Sequence, residues 1–460
     1  MSSSLEERGN HSAMSTENGE YQGMDCYADD RDALNDFAKY YNNDHLSDVC
    51  IIIEEERFAA HRLILCRSSE VFDRMLSKRW NKQNSNEFKL NEEPECQRVF
   101  AAFLRFLYCN HVVLNEHNVL HLLVLADKYS VHGLRKVCVD YASKHVLPFT
   151  SLKTLIHVWF KYSTTAYHRD LTRKCVRRTA EHMYQIISDE DWEMDWVCLD
   201  RDQLIELLKS SDLVVPNEFV LWEAVQRWFN SSQHPQRQGT SATNIVKQIL
   251  PLIRFPYMTA DELTEVENSS IAKEHPDIIS PITHIAFKYI SMPLTSRAKS
   301  SEFNGIQFLV RNFTDNRWDK RLTIPAEQLQ LKPAEHRFSI STRSSTFPLS
   351  MWDWELIFTR NGGTSAYSMN STRPQDELSI ELKSVDLDQQ RSIEFMLSIC
   401  NDTQLLLTFN GRKCFTKSRT TELIELDNRL TLKNLFETDR NLSLLHNGEL
   451  NMQLVLRPIV

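Results

Sequence analysis

The segment LSDVCIIIEEERFAAHRLILCRSSEVFDRML, Leu46 to Leu76, changes its hydrophobic period twice within one short stretch. VCIII, Val49 to Ile53, is an unbroken apolar run, bounded by charge and too short for a helix, which predicts a strand buried on both faces. The polar EEE that follows leaves room for a turn, and RFAA then supplies the returning strand of a hairpin. HRLILC and SSEVFDRML read as two short helices. In the second, Ser68 or Ser69 can cap the first turn, while Val71, Phe72, Met75 and Leu76 recur along one face.

Farther along, EFKL predicts a brief strand, and RVFAAFLRFLYC, Arg98 to Cys109, a helix. Val99, Phe103 and Phe106 share one side of it with Phe100, Leu104 and Leu107 beside them, so it must be covered on most sides. Helices from about Glu116 to Tyr129 and from His132 to His145 complete a first domain, 33–147, with Pro148 marking its end. Residues 1–32 are polar and read as a disordered tail. Residues 148–295 are nearly all helical in pattern: LTRKCVRRTAEHMYQII, DRDQLIELLKSSD and NEFVLWEAVQRWFN each repeat apolar residues at three and four spacing, which suggests a stacked helical domain. Within it QHPQRQGTSATN, Gln233 to Asn244, has the composition of an exposed loop.

The period then shortens to two. WDWELIF sets Trp352, Trp354, Leu356 and Phe358 against Asp353 and Glu355, and LSIELK, IEFMLSI and NMQLVLR alternate in the same way. Half-buried antiparallel strands follow, most simply a β-sandwich of seven or eight over 302–460. The fold class is therefore α+β multidomain: an α/β domain, an all-helical domain and an antiparallel β-sandwich.

Composition narrows the function. With 460 residues, 42% of them apolar, two to three domains can each bury a core. A net charge of -9 opposes non-specific binding to nucleic acid, and the basic run TRKCVRR, Thr172 to Arg178, reads as the solvated face of a helix. No run of eighteen apolar residues occurs, so no membrane span is expected, and MSSSLEERGN lacks the pattern of a secretory signal. The expected location is the cytosol or the nucleus. The ten cysteines are never spaced as zinc knuckles require, and Cys50, Cys66 and Cys109 read as reduced core residues. Between Met24 and Asn304 the only glycines are Gly133 and Gly239, too few for a dinucleotide or phosphate loop. The acidic stretch DEDWEMDWVCLD, Asp189 to Asp200, lacks the glycine turn of a calcium loop and reads as a helical corner with Trp192 and Trp196 inward. No metal or cofactor is expected.

The pattern S-D-V, hairpin, A-H-R, short helix, F-x-x-M resembles the opening of a BTB/POZ domain, and the likeness continues through RFLYCNHVVL and LLVLADKYSVHGLRKVC. The later segments LKSSDLVVPNEFVLWEAVQRWF and ILPLIRFPYM resemble a BACK domain, and WDWEL with the terminal FETDRNLSLLHNGELNMQLVLR resembles a TRAF or MATH fold. The resemblance implies a BTB homodimer, formed through a helix near Asp32 to Tyr41, a helical spacer, and a β-domain that holds a protein ligand.

Four residues carry the implied docking surface. In BTB proteins that recruit cullin-3, the loop after the F-x-x-M helix carries an apolar residue, any residue, then glutamate. Aligning Phe72 and Met75 places Trp80 and Lys82 at the first and third of these positions. The indole suits the apolar role, whereas the lysine reverses the expected charge, a change that can cost on the order of 2 to 5 kcal/mol at a buried ion pair. Asp48 and His61 belong to the BTB signature and, by resemblance, to a pocket at the core and dimer side. An acid–base role has no support without a nucleophile motif, so Asp48 is expected to accept backbone hydrogen bonds and His61 to pack and cap. A homodimeric, non-catalytic substrate receptor for a cullin-3 ubiquitin ligase is the leading expectation. The alternative is an interaction scaffold without cullin, resembling galectin-binding BTB-BACK proteins.

Overall fold

The computed structural model describes residues 36–77, 86–331, 334–344, 350–362, 376–426, 430–436 and 443–459. They form two compact units, dividing between His145 and Val146.

In the first unit, β1 (Val49–Ile53) pairs antiparallel with β2 (Glu56–Ala60) and parallel with β3 (Glu87–Leu90). Glu54 takes the left-handed conformation that the tight hairpin turn needs (φ 50°). Burial along β1 alternates: Val49, Ile51 and Ile53 are buried, whereas Cys50 and Ile52 are half-buried. The strand is thus covered on one face more than the other, not on both as the apolar run suggested. Helices α1 (Arg62–Ser68), α2 (Glu70–Leu76), α3 (Pro94–Cys109), α4 (Val119–Lys128) and α5 (His132–Tyr141) complete the unit. The Ser69 hydroxyl accepts from the Phe72 N–H at 3.1 Å, so the cap of α2 is Ser69 rather than Ser68. Helix α3 buries Phe100, Phe103, Leu104, Phe106 and Leu107, and ends on Asn110 in the left-handed conformation.

The second unit joins the helical region and the strands. Two four-stranded antiparallel sheets have the orders β11-β10-β13-β6 and β12-β9-β8-β7. Their strands are β6 (Asp319–Pro325), β7 (Ala334–Arg343), β8 (Met351–Gly362), β9 (Asp376–Val385), β10 (Arg391–Cys400), β11 (Leu405–Phe415), β12 (Thr421–Ile424) and β13 (Glu449–Pro458). Trp352, Trp354, Leu356 and Phe358 of β8 share one core with Ile393, Phe395, Leu397 and Ile399 of β10 and Met452, Leu454 and Leu456 of β13.

Strands β10 and β13 are not half-exposed, as their alternation implied. Nearly every residue of both is buried. The polar side chains between the core residues face the helical region: Gln453 accepts from the Val310 N–H at 2.9 Å and donates to the Phe308 carbonyl at 3.0 Å, while Glu394 accepts from the Leu294 N–H at 3.3 Å. Met396 and Val455 pack with Leu294 of the same region. Period two here records polar contacts within protein, not water.

A second buried carboxylate, that of Glu218, also holds the seam. Helix α6 (Arg169–Glu181) and helix α7 (Arg201–Lys209) precede a short strand β4 (Val214–Val215), which pairs in parallel with β5 (Asn312–Phe313). Asn217 caps the next helix, α8 (Glu218–Asn230), accepting from the Val220 N–H. At the first turn of α8, Glu218 is fully buried; it accepts from Arg311 Nε at 3.0 Å and from the Arg254 N–H at 2.8 Å. Arg311 also donates to the carbonyls of Leu208, Ser210 and Leu252, and Arg254 to that of Leu309. Burial, with Arg311 alongside, holds the Arg254 guanidinium well below its usual range.

The loop expected over Gln233–Asn244 is partly built in. Arg237 is buried, donates to the carbonyls of Val197 (2.7 Å) and Leu199 (2.8 Å), and lies 3.7 Å from the Trp228 ring centroid. Trp192 and Trp196 are buried as expected, the latter donating to the Ala224 carbonyl at 2.7 Å.

Replacing Glu218 with glutamine keeps its shape but leaves Arg311 without a counter-charge. Removing one partner of a buried pair costs about 3–5 kcal/mol. In urea denaturation of the full chain, Glu218→Gln should lower the midpoint, with helix loss by far-UV dichroism and sheet-core loss by near-UV dichroism moving together; an unmoved midpoint would contradict this account.

Candidate protein-interaction surfaces

Phe72 belongs to the core rather than to a docking surface, which corrects the expectation from sequence. It is fully buried and stacked on Tyr129, with centroids 4.7 Å apart and planes 11° apart. The reason is local: Ser69, besides capping α2, donates to the Tyr129 carbonyl at 2.6 Å, which draws the helix and its Phe72 onto the aromatic cluster. Tyr129 in turn donates to buried Glu92 at 2.5 Å, and Lys128 reaches the same carboxylate at 2.8 Å. Burial, then Glu92, pushes the Tyr129 phenol far above its ordinary value. Met75 is half-buried. Trp80 and Lys82 lie outside the described residues.

Asp48 and His61 do not converge on one pocket. Asp48 is exposed and caps α1, its carboxylate accepting from the Arg62 N–H at 2.7 Å. Arg62 then donates to the Leu76 carbonyl at 2.8 Å, tying the start of α1 to the end of α2. His61 is buried, and its side chain does not cap the helix. Its Nε2 lies 2.8 Å from the His45 carbonyl and its Nδ1 3.0 Å from the Tyr108 hydroxyl. A carbonyl can only accept, which assigns the proton to Nε2 and lets Tyr108 donate to Nδ1. The same hydroxyl accepts from the His61 N–H at 3.0 Å. Burial pushes the Tyr108 phenol up to about 12. Both histidine nitrogens are therefore engaged in holding the fold.

What the sequence did not mark is the apolar surface around α1. Leu63 is 80% exposed, Leu46 72% and Phe37 38%. Arg67, one turn after Leu63, lies over the Phe37 ring at 5.4 Å. In sequence, Leu63 sits inside HRLILC beside Ile64 and Leu65, which are buried, so composition gave no sign that it points outward. Among the cysteines read as core, Cys109 is buried, whereas Cys50 and Cys66 are half-buried.

In the second unit, the basic run on α6 is only partly a solvated face. Arg177 pairs with Glu449 of β13 at 3.2 Å, and Arg178 donates to the Leu147 carbonyl. Nearby, His446 and Asp402 pair at 2.6 Å. The hydrogen bond that His446 donates to Asp402 raises the imidazole above its ordinary value of 6.5, against burial and the charges of Arg173 and Arg321. Burial would raise the Asp402 carboxyl, but the His446 hydrogen bond and charge, with Arg321 and Asn447, together outweigh it and the group ends lower than usual.

Comparison with known proteins places these surfaces. Residues 37–146 match the BTB/POZ domain and residues 156–268 match BACK, "BTB And C-terminal Kelch". The chain is 27% identical over 288 residues to BTB/POZ domain-containing protein 17 of Xenopus laevis, covering 60% of this chain and 57% of that protein. The corresponding Homo sapiens protein is 27% identical over 289 residues (61% and 56%). Kelch-like protein 25 of Homo sapiens is 25% identical over 225 residues (48% and 35%). The chain therefore carries BTB and BACK domains homologous to those of these proteins, and its match spans little more than half the length of the first relatives.

Two measurements follow. Phe72→Ala should cost about 3–5 kcal/mol in chemical denaturation, as a core residue does; a loss near zero would return Phe72 to the surface. The His446 pair stabilises fully below about pH 6.5 and fades as pH rises through the raised folded value, while the Asp402 share fades only in acid as pH falls through its lowered value. Wild type should thus lose stability between about pH 6 and 8 relative to His446→Gln, and parallel curves would refute the pairing.

Proposed function

We propose that this chain, with its BTB/POZ and BACK domains, is a non-catalytic homodimeric adaptor of the cytosol or nucleus that brings a protein substrate to a cullin-3 ubiquitin ligase. The observation that carries the reading is the exposed apolar set Phe37, Leu46 and Leu63 around α1, in a domain whose other large apolar side chains are mostly enclosed. Burying such residues against a second copy supplies the driving force for a dimer. The matches to BTB and BACK support the adaptor role. The two antiparallel sheets beyond the BACK match support reading the last region as a TRAF/MATH-like receptor for a protein ligand.

One sequence feature favours a second reading. Lys82 stands where cullin-recruiting relatives of the resemblance carry glutamate, so a scaffold that dimerises without cullin is the alternative. Cullin capture then rests on burial of apolar groups, chiefly Trp80, since aromatic anchors carry much of an interface's energy.

Light scattering on the full chain should give a dimer, and Leu63→Asp a monomer; a monomeric wild type would remove the homodimer. In pulldowns against the cullin-3 N-terminal domain, wild type should bind, Trp80→Ala should bind at least tenfold more weakly, equivalent to about 1.4 kcal/mol, and Lys82→Glu more tightly. Binding by Lys82→Glu alone would leave only the scaffold.

A further inference from the structure

A cleft of about 440 Å³ opens within the second unit, between strands β10 and β11 and the segment that follows α9 (Pro276–Ser291) and α10 (Leu294–Arg297). That is the size of a site for a small organic molecule. The chain as a whole has a net charge of -9, yet the lining holds two cations, Arg297 and Lys299, and no carboxylate. Glu302, the nearest acid in sequence, is paired with Lys288 at 2.6 Å. The cleft is therefore set for negative charge, against the trend of the whole surface.

The two cations differ in what they can do. Arg297 donates to the carbonyls of Met292 (3.0 Å) and Ile290 (2.9 Å) and lies 4.2 Å from the Tyr289 ring centroid, so it is fixed in place and contributes charge. Lys299 is exposed and closes no ion pair among the described residues. Ser301, Asn304 and Asn410 add a hydroxyl and two amides to the same lining; all three are exposed, and none makes a side-chain hydrogen bond among the described residues. Phe303 and Leu406 supply apolar lining beside them. A carboxylate brings two oxygens and one charge, whereas a phosphate monoester brings three terminal oxygens and nearly two charges at neutral pH. Two cations and three neutral donors suit the second better.

We propose that this cleft binds a small phosphate monoester with an apolar or aromatic body. Lys299 takes the phosphate, Ser301, Asn304 and Asn410 donate to it, and Arg297 adds a fixed counter-charge. The body of the ligand packs on Phe303 and Leu406. Bound there, the ligand touches both the segment after α10 and the sheet, so its binding energy adds to the stability of the second unit. The site is separate from the adaptor reading, and neither requires the other.

The test uses the full chain, titrated by calorimetry at constant ionic strength with phenyl phosphate, inorganic phosphate, benzoate and phenol. Phenyl phosphate should bind saturably and raise the thermal midpoint. Inorganic phosphate, which lacks the body, and benzoate, which lacks the second charge, should bind more weakly, and phenol not at all. Amide exchange should slow across 299–304 and 405–410 when phenyl phosphate is bound. Lys299→Glu and Asn410→Asp, both exposed changes, should each weaken phenyl phosphate about tenfold or more while the unliganded variants unfold at the wild-type temperature. Lys136→Glu, an exposed change in the first unit, should leave the affinity unaltered. No saturable binding of phenyl phosphate, equal affinity in all three variants, equal binding of phenol, or protection confined to other segments would overturn the proposal.

Discussion

The carboxylate of Glu218 has no water around it and two arginines in contact. An ion in that position is costly unless every lone pair is satisfied, and its partners, the Arg254 N–H and the Arg311 side chain, lie 36 and 93 residues farther along the chain. Satisfying it fixes where the segment after the helices must lie. Once that segment is fixed, Phe308 and Val310 present backbone groups to Gln453, and the sheet containing β13 has its place. Buried polar groups cannot tolerate a loose fit, so helices and sheets behave as one body.

That constraint changes what the strands mean. A sheet with one face in water can trade outward residues freely, whereas β10 and β13 spend theirs on the helices. The helical region is thus more than a spacer: its last helix and the segment after it cover one face of the sheet. In the BTB domain the division is equally sharp. Phe72, Tyr129 and Glu92 form a closed chain of stacking and hydrogen bonding, while Leu46 and Leu63 remain outside.

Much of this was legible in sequence. Hydrophobic period identified the hairpin, the helices and the inward residues of β8, β9, β10 and β13, because the middle of each inward row is apolar, with Arg360, Ser384 and Arg391 buried only at row ends. Three features were not legible. Alternation reports that two faces differ, but it does not say whether the polar one meets water or protein, so half-buried strands are all it predicts where Gln453 and Glu394 in fact bond the helical side. A motif reports which residues recur, not which way they point, so Phe72 was placed on a surface that its stacking on Tyr129 denies it. Arg237 is hidden by its neighbours: a polar loop rich in glutamine and threonine conceals one arginine whose stem and charge both fold inward over Trp228.

Strand β13, the last of the described strands in sequence, is not at the margin of its sheet but between β10 and β6. A nascent polypeptide on the ribosome therefore carries β10 and β6 with their facing rows of amides and carbonyls unmatched until β13 has emerged. During that interval the two strands are exposed to illegitimate pairing with neighbouring polypeptides, and a chaperone has a reason to hold them. Loss of Glu449–Pro458 would remove an inner strand of the sheet rather than an edge.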